Sequence, residues 1–214
     1  MIAELLSFFS SLDDHLAALA QASPLLFFGV VTLIIFAETG LVVMPLLPGD
    51  SLLFIAGAIT ALAGLNVHLF VAILCAAAIL GDAVNYFVGG RLGMKAFERK
   101  DSRVFKQEYL LQTQAFYEKY GPFSIVMGRF VPIVRTFVPF LAGVAQMPYR
   151  TFFVYNVIGG VAWISSLTYA GYLFGNISWV RNNLSVIVIG IVAISVLPIV
   201  VKVWQEHRRS RRAS

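Results

Sequence analysis

The sequence predicts an all-α, polytopic membrane protein with two opposed re-entrant hairpins in inverted repeats plus about three full transmembrane helices. Composition is the first observation behind this. Of 214 residues, 59% are hydrophobic and 13% charged, and the mean hydropathy is +0.82. Apolar stretches long enough to cross a hydrocarbon core of about 30 Å run at about 25–44, 67–88, 151–175 and 183–204. The second observation is Gly128–Gly143, an apolar run that carries Arg129, Pro132, Arg135 and Pro139. An Arg at mid-bilayer depth costs roughly 2.5–3.5 kcal/mol, and Pro removes a backbone donor. Such a segment survives where it faces a polar cavity or other protein, and non-helical backbone is tolerated in the same place. The third is charge asymmetry. Every Lys and Arg lies at or after Arg91, whereas the first ninety residues carry only the acids Glu4, Asp13, Asp14, Glu38, Asp50 and Asp82.

Residues 1–22 form the first element. Ile2, Leu5, Leu6, Phe9, Leu12, Leu16 and Leu19 share a helical face opposite Glu4, Ser7, Ser11, Asp14 and His15, the pattern of an interfacial amphipathic helix. No basic residue precedes the apolar run, so a secretory signal peptide is not expected. Residues 25–64 form hairpin one. Ser23-Pro24 caps its first helix, Glu38-Thr39-Gly40 fall within its hydrophobic length, and Pro45-Leu46-Leu47-Pro48-Gly49 turns the chain. Asp50 or Ser51 is then placed to cap a half-helix from about Ser51 to Ala63, too short to cross comfortably. Gly64-Leu65-Asn66 leads into the span 67–88, which the Gly89-Gly90 pair should break. Residues 94–121 form a cytoplasmic loop of both charge signs interleaved with aromatic residues, predicted to hold one or two surface helices. Hairpin two is 122–146, closed by the polar and helix-breaking run Gln146–Arg150. The spans 151–175 and 183–204 and the basic tail 205–214 complete a single membrane domain, since no linker or low-complexity tract divides the chain. The lone Cys75 allows no intrachain disulfide and reads as a small buried filler.

Lys/Arg-rich short loops stay cytoplasmic, so the loop 94–121 and the tail belong inside and the base-free N-terminus outside. For the short turn between the last two spans to lie outside, Arg150 must start inside. Segment 122–146 therefore enters and leaves on one face. The hairpins also share sequence features. Ala56-Gly57-Ala58 corresponds to Ala142-Gly143-Val144, and each following span ends in a Gly-x-x-x-Gly spacing, Gly89/Gly93 and Gly171/Gly175. Small-residue spacing serves ordinary helix contacts equally well; with opposed hairpins it suggests a transporter with a site near the midplane.

Hairpin one brings Glu38 and Asp50 to that site, and hairpin two brings Arg129 and Arg135. At about 3 kcal/mol each, four unpaired charges would cost roughly 12 kcal/mol, so they must be paired, solvated or neutralised. Buried salt bridges that pin the hairpins together are one solution. A functional one divides the roles: the guanidinium forks of Arg129 and Arg135, with Ser51 and Thr136 beside them, bind a phosphate, and Glu38 and Asp50 carry protons because burial disfavours an ionised carboxyl. Asp82, Asn85, Tyr155 and Asn156 are additional site candidates. For Asp82, pairing with Arg91 or contact with lipid headgroups is the alternative.

Glu38-Thr39-Gly40, Leu47-Pro48-Gly49-Asp50-Ser51-Leu52-Leu53, Gly81-Asp82-Ala83-Val84-Asn85-Tyr86, Gly128-Arg129-Phe130-Val131-Pro132-Ile133-Val134-Arg135-Thr136 and Tyr155-Asn156-Val157-Ile158-Gly159 together resemble the DedA family over nearly the whole chain. The resemblance implies opposed re-entrant hairpins and a role in maintaining the envelope from the bacterial inner membrane. It also implies recycling of undecaprenyl phosphate, dependence on the proton motive force, and resistance to cationic peptides. By motif, the family's essential acids fall on Glu38 and Asp50 and its essential arginines on Arg129 and Arg135. More distant eukaryotic relatives scramble phospholipids, so a phospholipid scramblase, or a proton- or ion-coupled homeostasis protein without lipid transport, stands beside the lipid-phosphate flippase.

An enzyme is not expected. The histidines are His15, His68 and His207, and neither a Gly-x-Ser-x-Gly elbow nor a His-Glu-x-x-His metal pattern occurs. No cofactor and no metal are predicted. The expected partners are a lipid phosphate, membrane lipids, and protons or other cations, with a homo-oligomer left open. The Arg-Arg-Ser-Arg-Arg tail reads as a topology anchor or lipid-headgroup contact rather than a nucleic-acid site.

Overall fold

The computed structural model describes residues 15–41, 49–92, 117–175 and 177. The expected turn at Pro45–Pro48, the span 183–204 and the tail 205–214 lie outside the described residues, as do most of the 1–22 helix and of the 94–121 loop. Within the described part every regular element is helical. After helical residues 15–22 come α1 (Pro24–Gly40), α2 (Gly49–Leu62), α3 (Val67–Leu92), a 3-10 turn at Gly121–Phe123, α4 (Ser124–Gly128), α5 (Pro132–Val144) and α6 (Tyr149–Gly175).

Length separates two kinds of helix. With 26 and 27 residues, α3 and α6 reach about 39–40 Å at 1.5 Å per residue, enough to cross a membrane. The 14 residues of α2 and 13 of α5 reach only about 20 Å. Ser23 caps α1 through its side chain on the Leu26 N–H, with Pro24 in the first turn, as the sequence predicts. Three expected boundaries move. Helix α2 begins at Gly49, so Asp50 and Ser51 sit within its first turn rather than capping it. Helix α6 begins at Tyr149, just ahead of the expected 151. Helix α3 runs through Gly89-Gly90 to Leu92, because those glycines are seats for α5 rather than breaks: a Cβ on Gly89 would lie 2.1 Å from the Phe140 carbonyl oxygen.

The directions of the helices follow from who meets whom. α3 and α6 are antiparallel: His68 meets Tyr169 at one end, Asn156 reaches the Ile79 carbonyl midway, and Tyr86 stacks on Phe152 at the other end. α1 runs alongside α3 from Phe27 against Phe70 to Gly40 against Gly81, where it stops halfway. α2 returns alongside α6, with Asp50 at Trp163, Phe54 at Gly171 and Ala58 at Gly175. On the opposite end, α4 packs on Gly159 of α6, and α5 returns along α3 with Thr136 at Asn85 and Phe140 at Gly89. Two helix pairs thus enter the bundle from opposite ends and meet at its middle.

The two halves use the same packing rule. In each, the first arm lies on its own half's long helix and the return arm crosses to the other half's. The crossing contacts are equivalent: a Cβ on Gly171 would lie 1.9 Å from the Phe54 oxygen and one on Gly57 2.2 Å from the Thr168 oxygen, while Gly89 and Gly143 face the Phe140 and Tyr86 oxygens at 2.1 and 2.0 Å. Both return arms close alike, with Leu65 N–H on the Thr60 carbonyl and Met147 N–H on the Ala142 carbonyl, each at 2.9 Å, after a left-handed residue. Gly64 supplies that conformation at φ +64° without strain; Gln146 adopts it at φ 53° with a side chain.

The apolar core forms around these crossings. Phe27, Val31 and Ile35 of α1 pack with Leu53 and Ile55 of α2, Phe70 and Leu74 of α3 and Ile164 of α6. A second cluster joins Ile125, Val134, Val138, Ala142, Met147 and Phe152. Large apolar side chains also cover the outside, among them Leu25, Leu33, Leu69, Leu80, Ile158 and Leu173. Water would penalise that surface and lipid would not. Cys75 is buried in the first cluster, the filler role expected of it.

Candidate functional site

The charged residues collect where the hairpin ends meet. Glu38 ends in the last turns of α1, and its carboxylate lies over the start of α2. A Cβ at position 49 would come within 2.0 Å of Glu38 Oε2, so Gly49 is what lets the carboxylate sit on the helix N-terminus, where the backbone amides favour negative charge. Asp50 follows in the first turn of α2. Arg135, in the first turn of α5, joins the two acids: its Nη2 lies 2.5 Å from Glu38 Oε1 and its Nη1 donates to Asp50 Oδ1 at 3.1 Å.

Trp163 completes this centre from α6. Its indole N–H donates to the same Asp50 Oδ1 at 2.9 Å, and its ring lies 4.1 Å from the Arg135 guanidinium carbon, covering one face of the cation. The sequence reading missed Trp163. The available signal was a tryptophan in the middle of an apolar span, whose buried N–H needs an acceptor.

Arg129 goes elsewhere. In the turn after α4 it crosses Gly159 and Gly160 of α6, where a Cβ on Gly159 would press to 3.0 Å from Arg129 Cδ. Its Nη2 pairs with Asp82 of α3 and donates to Asn156 Oδ1 at 2.6 Å. Asn156 in turn donates to the Ile79 carbonyl at 3.0 Å. Asp82 therefore pairs with Arg129, not with Arg91 or lipid headgroups: it is buried at mid-bundle, far along α3 from the helix end that carries Arg91.

The remaining candidates divide. Asn85 is fully buried and donates its side-chain amide to the carbonyls of Thr39 and Thr136. Ser51 and Thr136 are buried at the same level, and the Thr136 hydroxyl has no hydrogen-bond partner. Tyr155 packs against the second apolar cluster instead of joining the charges. Among the described residues no group of His, Cys, Asp and Glu is arranged to hold a metal ion.

Fold and site together define a helical membrane protein in which two helix pairs close over a buried cluster of two arginines and three acids. The VTT domain family model matches residues 47–173, and the chain belongs to that family, the DedA family. It is 48% identical over 212 residues to Protein DedA of Escherichia coli K12, covering 98% of this chain and 97% of that one. An uncharacterized membrane protein of Mycobacterium tuberculosis H37Rv is 44% identical over 86% of this chain and 81% of its own. Inner membrane protein YghB of Escherichia coli K12 is 34% identical over 70% of this chain and 68% of its own. No solved structure matches.

Proposed function

We propose that the protein is a non-enzymatic transporter, a flippase that moves an anionic lipid phosphate, undecaprenyl phosphate being favoured, across the bacterial inner membrane with coupling to protons. The observation that carries this is the state of Arg135. Two carboxylates from the other helix pair share one guanidinium, and the Asp50 side chain remains 30% exposed against 10% for Arg135 and 4% for Glu38. A phosphate monoester presents the same paired oxygens as those carboxylates and can replace them on the fork. Replacement next to two ionised acids would be opposed by like charge. A proton on Glu38 or Asp50 removes that opposition, so lipid binding and proton uptake are linked at one site. The unpartnered Thr136 hydroxyl can donate to a phosphate oxygen, and Ser51 lies next to Asp50 for the same purpose. Arg129, closed onto Asp82, holds the framework.

The short arms α2 and α5 fit re-entrant hairpins, with the N-terminus outside and the C-terminus cytoplasmic. Cysteine labelling of intact cells should reach the N-terminus and spare the C-terminus, and the opposite pattern would reject that orientation. The named inner-membrane relative supports the same membrane here. Surrounding lipids and protons or other cations complete the partners, nucleic acid is not one of them, and self-association would set any homo-oligomer. Transport itself is tested with purified protein in liposomes. Lipid-phosphate flux should respond to an imposed pH gradient and fall at least about tenfold in Arg135→Lys, which keeps the charge and loses the fork. Flux that is absent, or unchanged by that substitution, would reject the proposal.

A further inference from the structure

We propose that Asn85 is the positioning residue that makes the two hairpin tips move as one, so that the acids of one and the arginine of the other act together. Its functional half rests on the transport reading above; its structural half stands on the geometry alone.

Asn85 lies on α3, and its amide nitrogen donates to the Thr39 carbonyl at 3.3 Å and the Thr136 carbonyl at 2.9 Å. Thr39 follows Glu38, and Thr136 follows Arg135. One amide group thus ties the peptide beside the acid to the peptide beside the arginine, across sequence separations of 46 and 51 residues. The amide orientation is settled by its partners: two carbonyls can be met by the NH2 end and not by the oxygen. The Thr39 carbonyl is in the last turn of α1, where the helix leaves such oxygens without an internal donor. Asn85 is fully buried, so water does not substitute for either bond.

The Arg135 ion pairs also join the tips, but those are the contacts a phosphate must displace. When they open, Asn85 still holds both tips at one level on a 26-residue helix. An exchange of partners at Arg135 then shifts both hairpins together instead of letting one drift from the other. Loss of this tie should let the acids take up and release protons without lipid moving.

The test uses full-length protein with Asn85→Ala and, because the alanine variant may fold poorly, Asn85→Ser, which keeps one donor. Proton uptake and lipid-phosphate flux are measured in the same liposomes. Misfolded protein lowers both in proportion, so their ratio is the readout. Protons moved per lipid should rise about fivefold in the alanine variant and less in the serine variant. A second measurement does not need transport. Spin labels at Leu41→Cys and Phe130→Cys, both exposed at the hairpin tips, are placed in Cys75→Ala protein. The distance between them should be narrowly distributed with Asn85 present and broad in both variants. An unchanged distance distribution overturns the tie, and an unchanged flux ratio overturns the coupling. If the parent protein moves no lipid phosphate, the transport reading fails and the label distances alone decide the role of Asn85.

Discussion

Arg129 and Arg135 lie six positions apart on the same hairpin and end in opposite circumstances. Arg129 meets one acid, with side chains 3% and 6% exposed, and Asn156 anchors the same guanidinium nitrogen. Its charge is balanced and its site is sealed. Arg135 meets two acids for its single charge, one of them open to the surroundings, with an indole across one face. Balanced, enclosed charge suits a fixed joint. An excess of acid beside an accessible edge leaves room for a proton to come and an anion to follow. Charge count and exposure, more than residue type, thus separate a framework arginine from a working one.

The largest effect should come from unbalancing the sealed centre. Arg129→Ala strands the Asp82 charge in the interior and should cost about 3–5 kcal/mol, read as a lower thermal midpoint in detergent or loss of folded protein. Replacing both partners, Arg129→Met with Asp82→Leu, should recover most of that loss because no charge remains unpaired. Arg135→Ala should cost clearly less, since Asp50 can draw on its surroundings. An equal or greater loss at Arg135 would erase the distinction between the two centres.

A smaller effect sharpens the comparison between the two halves. Gly89→Ala and Gly171→Ala each drive a methyl group into a carbonyl of the facing return arm and should each destabilise by about 1–3 kcal/mol. Gly29→Ala is the control, because nothing lies within 4 Å of the added carbon. Similar losses at Gly89 and Gly171 with none at Gly29 support equivalent seats; a loss at only one would show that the halves pack by different rules.

Much of this architecture was legible in the sequence. Ser23-Pro24, Gly64 and the Gln146–Arg150 run marked helix ends that local chemistry dictates, and the burial cost of Arg135, Glu38 and Asp50 required their mutual pairing. The paired Ala-Gly steps and glycine spacings pointed to the equivalent crossings. What stayed hidden depends on tertiary contact. Gly89-Gly90 reads as a break until α5 is seen lying against it. The partner of Asp82 depends on the level at which α4 stops along α6, which no local spacing encodes. Arg129 and Arg135 looked interchangeable because both sit beside prolines in one apolar run, and only the crossing of Gly159 and Gly160 turns Arg129 away. Trp163 offered an unmet donor but no indication of which acid would meet it.

The central claim is that the acids around Arg135 couple proton movement to lipid phosphate. Glu38→Gln and Asp50→Asn keep size and most hydrogen bonding while removing the titratable proton, so they test it directly in liposomes carrying an imposed pH gradient. Folded protein that still binds lipid phosphate but has lost gradient-driven flux is the predicted result. Folded protein with unchanged gradient-driven flux in both substitutions would contradict it.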